Sequence, residues 1–215
     1  FKNITFNSEK IKIKKKKDIF FINGSVNNNQ TSLDSSLLKL LNLNFKNFNV
    51  KDVKFKSKNN FTLEIDNKLK INNFTINSNL EIAQLKYERP EIVQSYISNT
   101  NDFILLEDHK LNLNYKKNNL IVSGEGKIQL DEEKSKIKYS INKNNENLDI
   151  KTELLISNIN LKKQDFLKTN FPQMGETINF SNQKIKIDYK NKDLFISGSG
   201  KFKVHKDYDE VDYFF

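Results

Sequence analysis

Cysteine is absent from the 215 residues, methionine occurs once, proline twice and alanine once, at Ala83. Without cysteine there is no disulfide framework and no thiolate chemistry, and both a cytosolic and a periplasmic setting stay open. Arginine is nearly missing too: Arg89 stands against 35 lysines. That scarcity matters because a net charge of +9 would ordinarily suggest nucleic acid or an anionic membrane surface. Arginine is the better bidentate reader of phosphate and guanine, and the lysines here are scattered through alternating segments, so we expect no nucleic-acid partner. No apolar run approaches the ~18 residues needed to span a bilayer, and no signal peptide opens the chain. The sequence starts at Phe1 and stops within an unfinished strand pattern (Asp207 to Phe215), so it reads as a piece of a longer protein.

What the sequence has is aliphatic and aromatic residues in strict alternation. Leu, Ile, Val and Phe supply 69 residues, about a third of the chain, well above the roughly 20% below which charged chains stay unfolded. Lysine and 33 asparagines fill the places between them, a bias that A/T-rich codons explain in part. Ile11 and Ile13 alternate with lysines, as do Phe61, Leu63 and Ile65 with Thr62, Glu64 and Asp66. The same period of two runs through Leu69 and Ile71, Phe74 and Ile76, Leu80 and Ile82, Leu111 to Tyr115, Ile137 to Ile141 and Ile185 to Tyr189. Such strands place apolar side chains on one sheet face and polar ones on the other, the signature of antiparallel sheets with one dry face. The gaps Asn67-Lys68, Asn72-Asn73 and Asn77 to Asn79 are too short for helical crossovers and predict hairpins. Helices are expected only at Ser32 to Leu41, at residues 90–99 behind Pro90, and at Lys163 to Thr169.

A hairpin recurs. KLNLNYKKNNLIVSGEGKIQL (110–130) and KIKIDYKNKDLFISGSGKFKV (184–204) align without a gap at an offset of 74. A fainter copy, KIKIKKKKDIFFINGSV (10–26), keeps Ile11, Ile13, Phe20, Ile22 and Gly24 in register but has Val26 where the others carry a second glycine. Glycine inside a strand marks a bulge, a sharp curl or a close backbone approach. Repeated strand modules point to a growing, strongly coiled sheet, with two duplicated hairpins in an ordinary sandwich as the plainer reading.

Catalytic signals are missing. His109 and His205 sit at exposed-looking positions with no second ligand at metal spacing. There is no GxSxG, Walker or dinucleotide loop, and Ser123-Gly124-Glu125-Gly126 leads into a strand where phosphate binding would need a helix N-terminus. Asp131-Glu132-Glu133 reads as a solvated turn, and Lys14 to Lys17 as a hairpin tip whose lysines discourage edge pairing. The reading is therefore of a non-enzyme without metal or cofactor.

The expected fold is mainly β: a long curled antiparallel sheet, groove or open half-barrel, with a few short capping helices, continuous over residues 1–215. An apolar face that broad must pack on a second sheet or curl around a hydrophobic ligand. The candidate lining is Ile11, Ile13, Ile22, Leu63, Ile65, Leu111, Leu113, Leu120, Val122, Ile128, Ile185, Ile187, Leu194, Ile196 and Phe202.

The alternating strands, the hairpins LIVSGEGKI (120–128) and LFISGSGKF (194–202), and the interspersed short helices resemble the AsmA-like superfamily of Gram-negative envelope proteins, with its TamB and YhdP branches. The resemblance covers most of the chain. It implies an interior slice of a periplasmic protein anchored in the inner membrane through another segment. The groove of such a protein holds phospholipid or another acyl-chain lipid and conducts it toward the outer membrane. Two other classes fit the residues: a secreted structural or adhesive β-sandwich without lipid, and an intracellular lipid-bridge protein.

Overall fold

A computed structural model describes residues 5–33, 50–97, 101–145, 147–170, 172, 175–204 and 207–215. Its strands are β1 (Phe6–Lys16), β2 (Ile19–Leu33), β3 (Val50–Asp66), β4 (Ile71–Glu88), β5 (Phe103–Lys116), β6 (Asn119–Gln129), β7 (Lys134–Asn144), β8 (Asn147–Lys162), β9 (Thr177–Lys190), β10 (Asp193–Val204) and β11 (Asp207–Phe214). Helix α1 (Glu91–Tyr96) lies between β4 and β5, and α2 (Asp165–Asn170) between β8 and β9. Each strand pairs antiparallel with its sequence neighbours, giving one 11-stranded sheet with β1 and β11 as edges. The sheet is not closed into a barrel. All described strands belong to this one sheet, so the sandwich alternative lacks its second layer.

Turn chemistry accounts for the hairpins. Lys117 and Asn118 both have positive φ (47° and 64°), as do Asn191 and Lys192 (54° and 74°). Two successive left-handed residues make the tight turn whose twist matches a right-twisted strand pair. Between β3 and β4 the Asp66 carboxylate accepts from the backbone N–H groups of Lys68 and Lys70, each at 2.9 Å. Leu69 tops this turn with φ 62° and lies 81% exposed.

Three sequence expectations need correction. Leu69 is a turn residue, because the Asp66 side chain captures the backbone before the strand begins. Asn72-Asn73 and Asn77 to Asn79 are not turns; they lie inside the 18-residue β4, where Asn77 to Asn79 pair on both sides and Asn73 pairs with Glu64 of β3 next to an irregularity at Asn72. Asparagine there occupies strand positions whose side chains hydrogen-bond across the sheet, as Asn114 does to Asn77. Of the expected helix Ser32 to Leu41, Ser32 and Leu33 belong to β2, paired to Lys54 and Val53, and the rest lies outside the described residues. The other two helices are present at α1 and α2, each six residues long.

The sheet bends toward its apolar face. β4 and β8 are four strands apart, about 19 Å in a flat sheet, whereas the six residues of α1 span only about 9 Å. Yet α1, at the end of β4, packs on β8. Val93 joins the cluster of Ile97, Ile156 and Ile159, and Ile97 bridges Leu161. Arg89 donates from Nη2 to the Leu130 carbonyl at 2.8 Å, tying the end of β4 to the end of β6. The Asp131 carboxylate accepts from Asn160 N–H at 3.0 Å and reaches β8. The Asp131 to Glu133 run is therefore solvated only in part, since Asp131 is buried. One end of the sheet is thus drawn together, and the small core sits there.

The repeat is larger than the hairpin. Adding 74 to the bounds of β5 gives those of β9, and adding 74 to α1 gives α2. Arg89 N–H donates to the Asp102 carbonyl and Lys163 N–H to the Glu176 carbonyl, both at 2.8 Å and again 74 residues apart. The unit is β4-α1-β5-β6-β7, repeated as β8-α2-β9-β10-β11.

The strand glycines have ordinary φ, so close approach explains them. A Cβ on Gly124 would meet the Tyr139 ring at 2.8 Å; on Gly198 it would meet the Tyr213 ring. A Cβ on Gly126 would run into the His109 ring, and one on Gly200 into the Gln183 amide. The third copy supports this account. Its bulge falls between Ser8 and Lys10, where Glu9 points to solvent, so no side chain covers position 26 and Val26 fits.

Alanine in place of a strand glycine with negative φ ordinarily stabilises by up to about 1 kcal/mol. Here Gly126→Ala should instead destabilise by about 1–3 kcal/mol through overpacking. In a His109→Ala background the same change should cost little. Urea denaturation of the four proteins in this double-mutant cycle measures the coupling.

Candidate functional site

Cross-strand register brings the candidate apolar residues onto one face. Ile13 opposes Ile22, and Ile22 opposes Leu63; Phe20 links Ile65 to the same side. Leu63 opposes Phe74, Ile76 opposes Tyr115, and Leu80 opposes Leu111. Leu113 meets Val122, Val122 meets Ile141, and Ile141 meets Ile150. From there the row continues through Tyr189 to Leu194 and through Ile187 to Ile196. Ile11, Ile128, Ile185 and Phe202 join it opposite Gly24, Leu106, Gly198 and Phe180. Phe74 and Leu80, read in the sequence as alternating strand residues but not counted in the lining, also lie on this face, and Ile150, Leu154 and Phe180, which the sequence reading missed, join them.

This face is only partly covered. Of the fifteen candidates Ile128 alone is buried; Ile11, Ile13 and Leu194 are more than half exposed, and the rest are intermediate. Seven hydrophobic residues are buried among those described, and no side chain is below 2% exposure. The chain exposes 15242 Å², against about 10,300 Å² for a compact monomer of its mass. Small residues on the opposite face (Ala83, Asn112, Ser123, Ser140) are nevertheless exposed, while large residues such as Leu111 and Leu113 are half-buried. That contrast makes the apolar face the concave one. With strands of 11 to 18 residues from β4 to β9, the trough runs about 35–60 Å along the strand direction.

The outer face carries the lysines. Lys56 pairs with Glu81 and Lys127 with Asp108, each at 2.8 Å across neighbouring strands. Hydrogen bonds from these lysines hold both carboxyls below their usual range. Such exposed pairs contribute little to stability.

Each repeat places one polar side chain at the closed end of the trough. His109 was expected to be exposed, but it is 2% exposed within β5. Asp108, at φ 52°, makes a bulge that shifts the strand by one residue and turns the imidazole inward. His109 Nε2–H donates to the Lys127 carbonyl at 3.0 Å, and Tyr139 O–H donates to Nδ1 at 3.3 Å. In the next repeat Asn182 has φ 51°, and Gln183 Nε2–H donates to the Lys201 carbonyl at 2.9 Å. Tyr213 O–H donates to Gln183 Oε1 at 3.1 Å. Amide and neutral imidazole thus play the same part, one donor and one acceptor. The sequence carries a signal for the bulge: apolar positions are even at Ile104 and Leu106 but odd from Leu111 to Tyr115. The change of parity falls at Asp108-His109. His205 lies outside the described residues. No group of three or more His, Cys, Asp or Glu at metal-binding distance occurs among the described residues.

No protein-family model, curated protein or solved structure matches the chain. No helix among the described residues is long and apolar enough to cross a membrane.

Burial lowers the His109 pKa from 6.5, against the Lys127 carbonyl and Asp108, which favour the charged form. The unfolded chain then binds more protons than the folded one below about pH 6.5, so stability should fall as pH drops through that value. His109→Gln, the arrangement already used at Gln183, should flatten this dependence while keeping neutral-pH stability. Chemical denaturation between pH 5 and pH 8 checks both statements.

Proposed function

We propose that the concave apolar face holds or conducts phospholipid or another acyl-chain lipid. The observation that carries this reading is the uncovered trough of Ile, Leu and Phe side chains, backed by a lysine-rich outer face. Covering about 300 Å² of apolar surface with an acyl chain would contribute roughly 7 kcal/mol at 25 cal/mol per Å². Lysines near the rims (Lys12, Lys14 and Lys16 on edge strand β1) would attract phosphate headgroups in a salt-dependent way. A continuous sheet whose units repeat every 74 residues suits a conduit, because each added unit lengthens the same face.

In this reading the chain is a periplasmic stretch of an inner-membrane-anchored protein that moves lipid toward the outer membrane and supports envelope integrity. It uses neither catalysis nor a cofactor. The single sheet favours this reading over the structural or adhesive sandwich, which needs a closed core.

The test is lipid content. Protein purified in its native form, extracted with organic solvent and analysed by mass spectrometry, should yield phospholipid. Val122→Asp and Ile196→Asp, at equivalent half-buried places in the two repeats, should each reduce that yield severalfold. Because the sites are open to water on one side, the melting temperature should change by only a few degrees. A lipid-free wild type, or two variants that lose their fold instead of their lipid, would refute the reading.

A further inference from the structure

The repeat leaves one interface half built. In the first unit, α1 docks on β8, which is the leading strand of the next unit and also the strand that pairs with β7. The contact is specific. Ile97 bridges Leu161, Val93 packs on the Ile156/Ile159 cluster, and Lys162 Nζ donates to the Gln94 carbonyl at 2.9 Å. In the second unit α2 stands 74 residues after α1, and β11 stands where β7 does. Among the described residues no strand pairs with the free side of β11, and none packs on α2 as β8 packs on α1.

We propose that β11 and α2 form a docking platform for one further strand of the β4/β8 kind, supplied by a protein segment outside residues 1–215. The register defines its chemistry. On β7, Lys138 lies on the outer face opposite Glu153, and Ile137 lies on the inner face opposite Leu154. The β11 counterparts are Asp212 and Val211, so the charge is reversed and the apolar side is kept. Glu210 and Asp212 therefore call for lysine or arginine on the outer face of the incoming strand. Val211, Tyr213 and Phe215 call for aliphatic residues on its inner face. The edge is set up for such a partner: Tyr208, Phe214 and Phe215 are 50%, 73% and 75% exposed.

A synthetic peptide with the β8 sequence Asn147–Lys162 and Glu153→Lys is the probe. Titrated into the full chain labelled for amide NMR, it should shift the signals of β11 and α2, and its binding should weaken with added salt. Asp212→Lys should weaken binding about tenfold, and the peptide with native Glu153 should restore it, since opposite charges across a strand pair attract and like charges repel. Absence of binding, binding that ignores the charge swap, or shifts confined to the β1 edge would each overturn the proposal. The basic β1 strand of a second copy is a rival occupant. Self-association by sedimentation velocity that Lys12→Glu with Lys14→Glu abolishes would assign the edge to that copy and overturn it too.

Discussion

An eleven-stranded sheet with one apolar face and no second layer faces a geometric constraint that shapes everything else. Left flat, it would present that face to water along its whole length, at a cost proportional to its area. Curling reduces the exposed area without requiring a second sheet. The curl is concentrated where α1, the Arg89 guanidinium and Asp131 draw the ends of β4, β6 and β8 together. The rest of the face stays half covered. This explains how a chain that is a third aliphatic and phenylalanine has so few buried residues among those described.

The bulge, the two glycines and the tyrosine belong to the same solution. Shifting β5 by one residue at Asp108 turns His109 inward. The imidazole needs space, which Gly126 provides, and it needs a donor for its second nitrogen, which Tyr139 provides from across Gly124. Gln183, Gly200, Tyr213 and Gly198 repeat the set with different atoms and the same donor–acceptor logic. Retention of the glycines alongside a change from imidazole to amide argues that the shape is what is specified. Where the inward polar side chain is missing, as at Glu9, the second glycine is missing as well.

Much of the fold was legible because period two is hard to mistake. Strand after strand of Ile-x-Ile or Leu-x-Leu can only be half-buried sheet, and the duplicated Ser-Gly-x-Gly segment marked the repeat. Asparagine hid the rest. It favours turns, yet in β4 it fills outer strand positions, and local propensity could not distinguish the two. The Asp66 turn depends on a side chain capping its own backbone, which displaced Leu69 from the strand its spacing suggested. Most of the apolar face was readable from the alternation, although Ile150, Leu154 and Phe180 were not picked out. His109 was not, because a single bulge inverts the meaning of the alternation on which the reading relied.

The 74-residue unit also determines how stability is distributed. The first unit's helix rests on the leading strand of the second, so that unit is completed by its neighbour as well as by its own contacts. In such linear arrays stability divides into terms for each unit and for each junction, and the ends are the weakest points. The one hydrophobic cluster of the described residues lies at the α1–β8 junction and draws on both units. A trough continuous across that junction follows from the same geometry. The sheet cannot be interrupted between units without losing the β7–β8 pairing and the docking of α1. Continuity of the apolar face is therefore a consequence of how the units hold one another, whatever cargo the face carries.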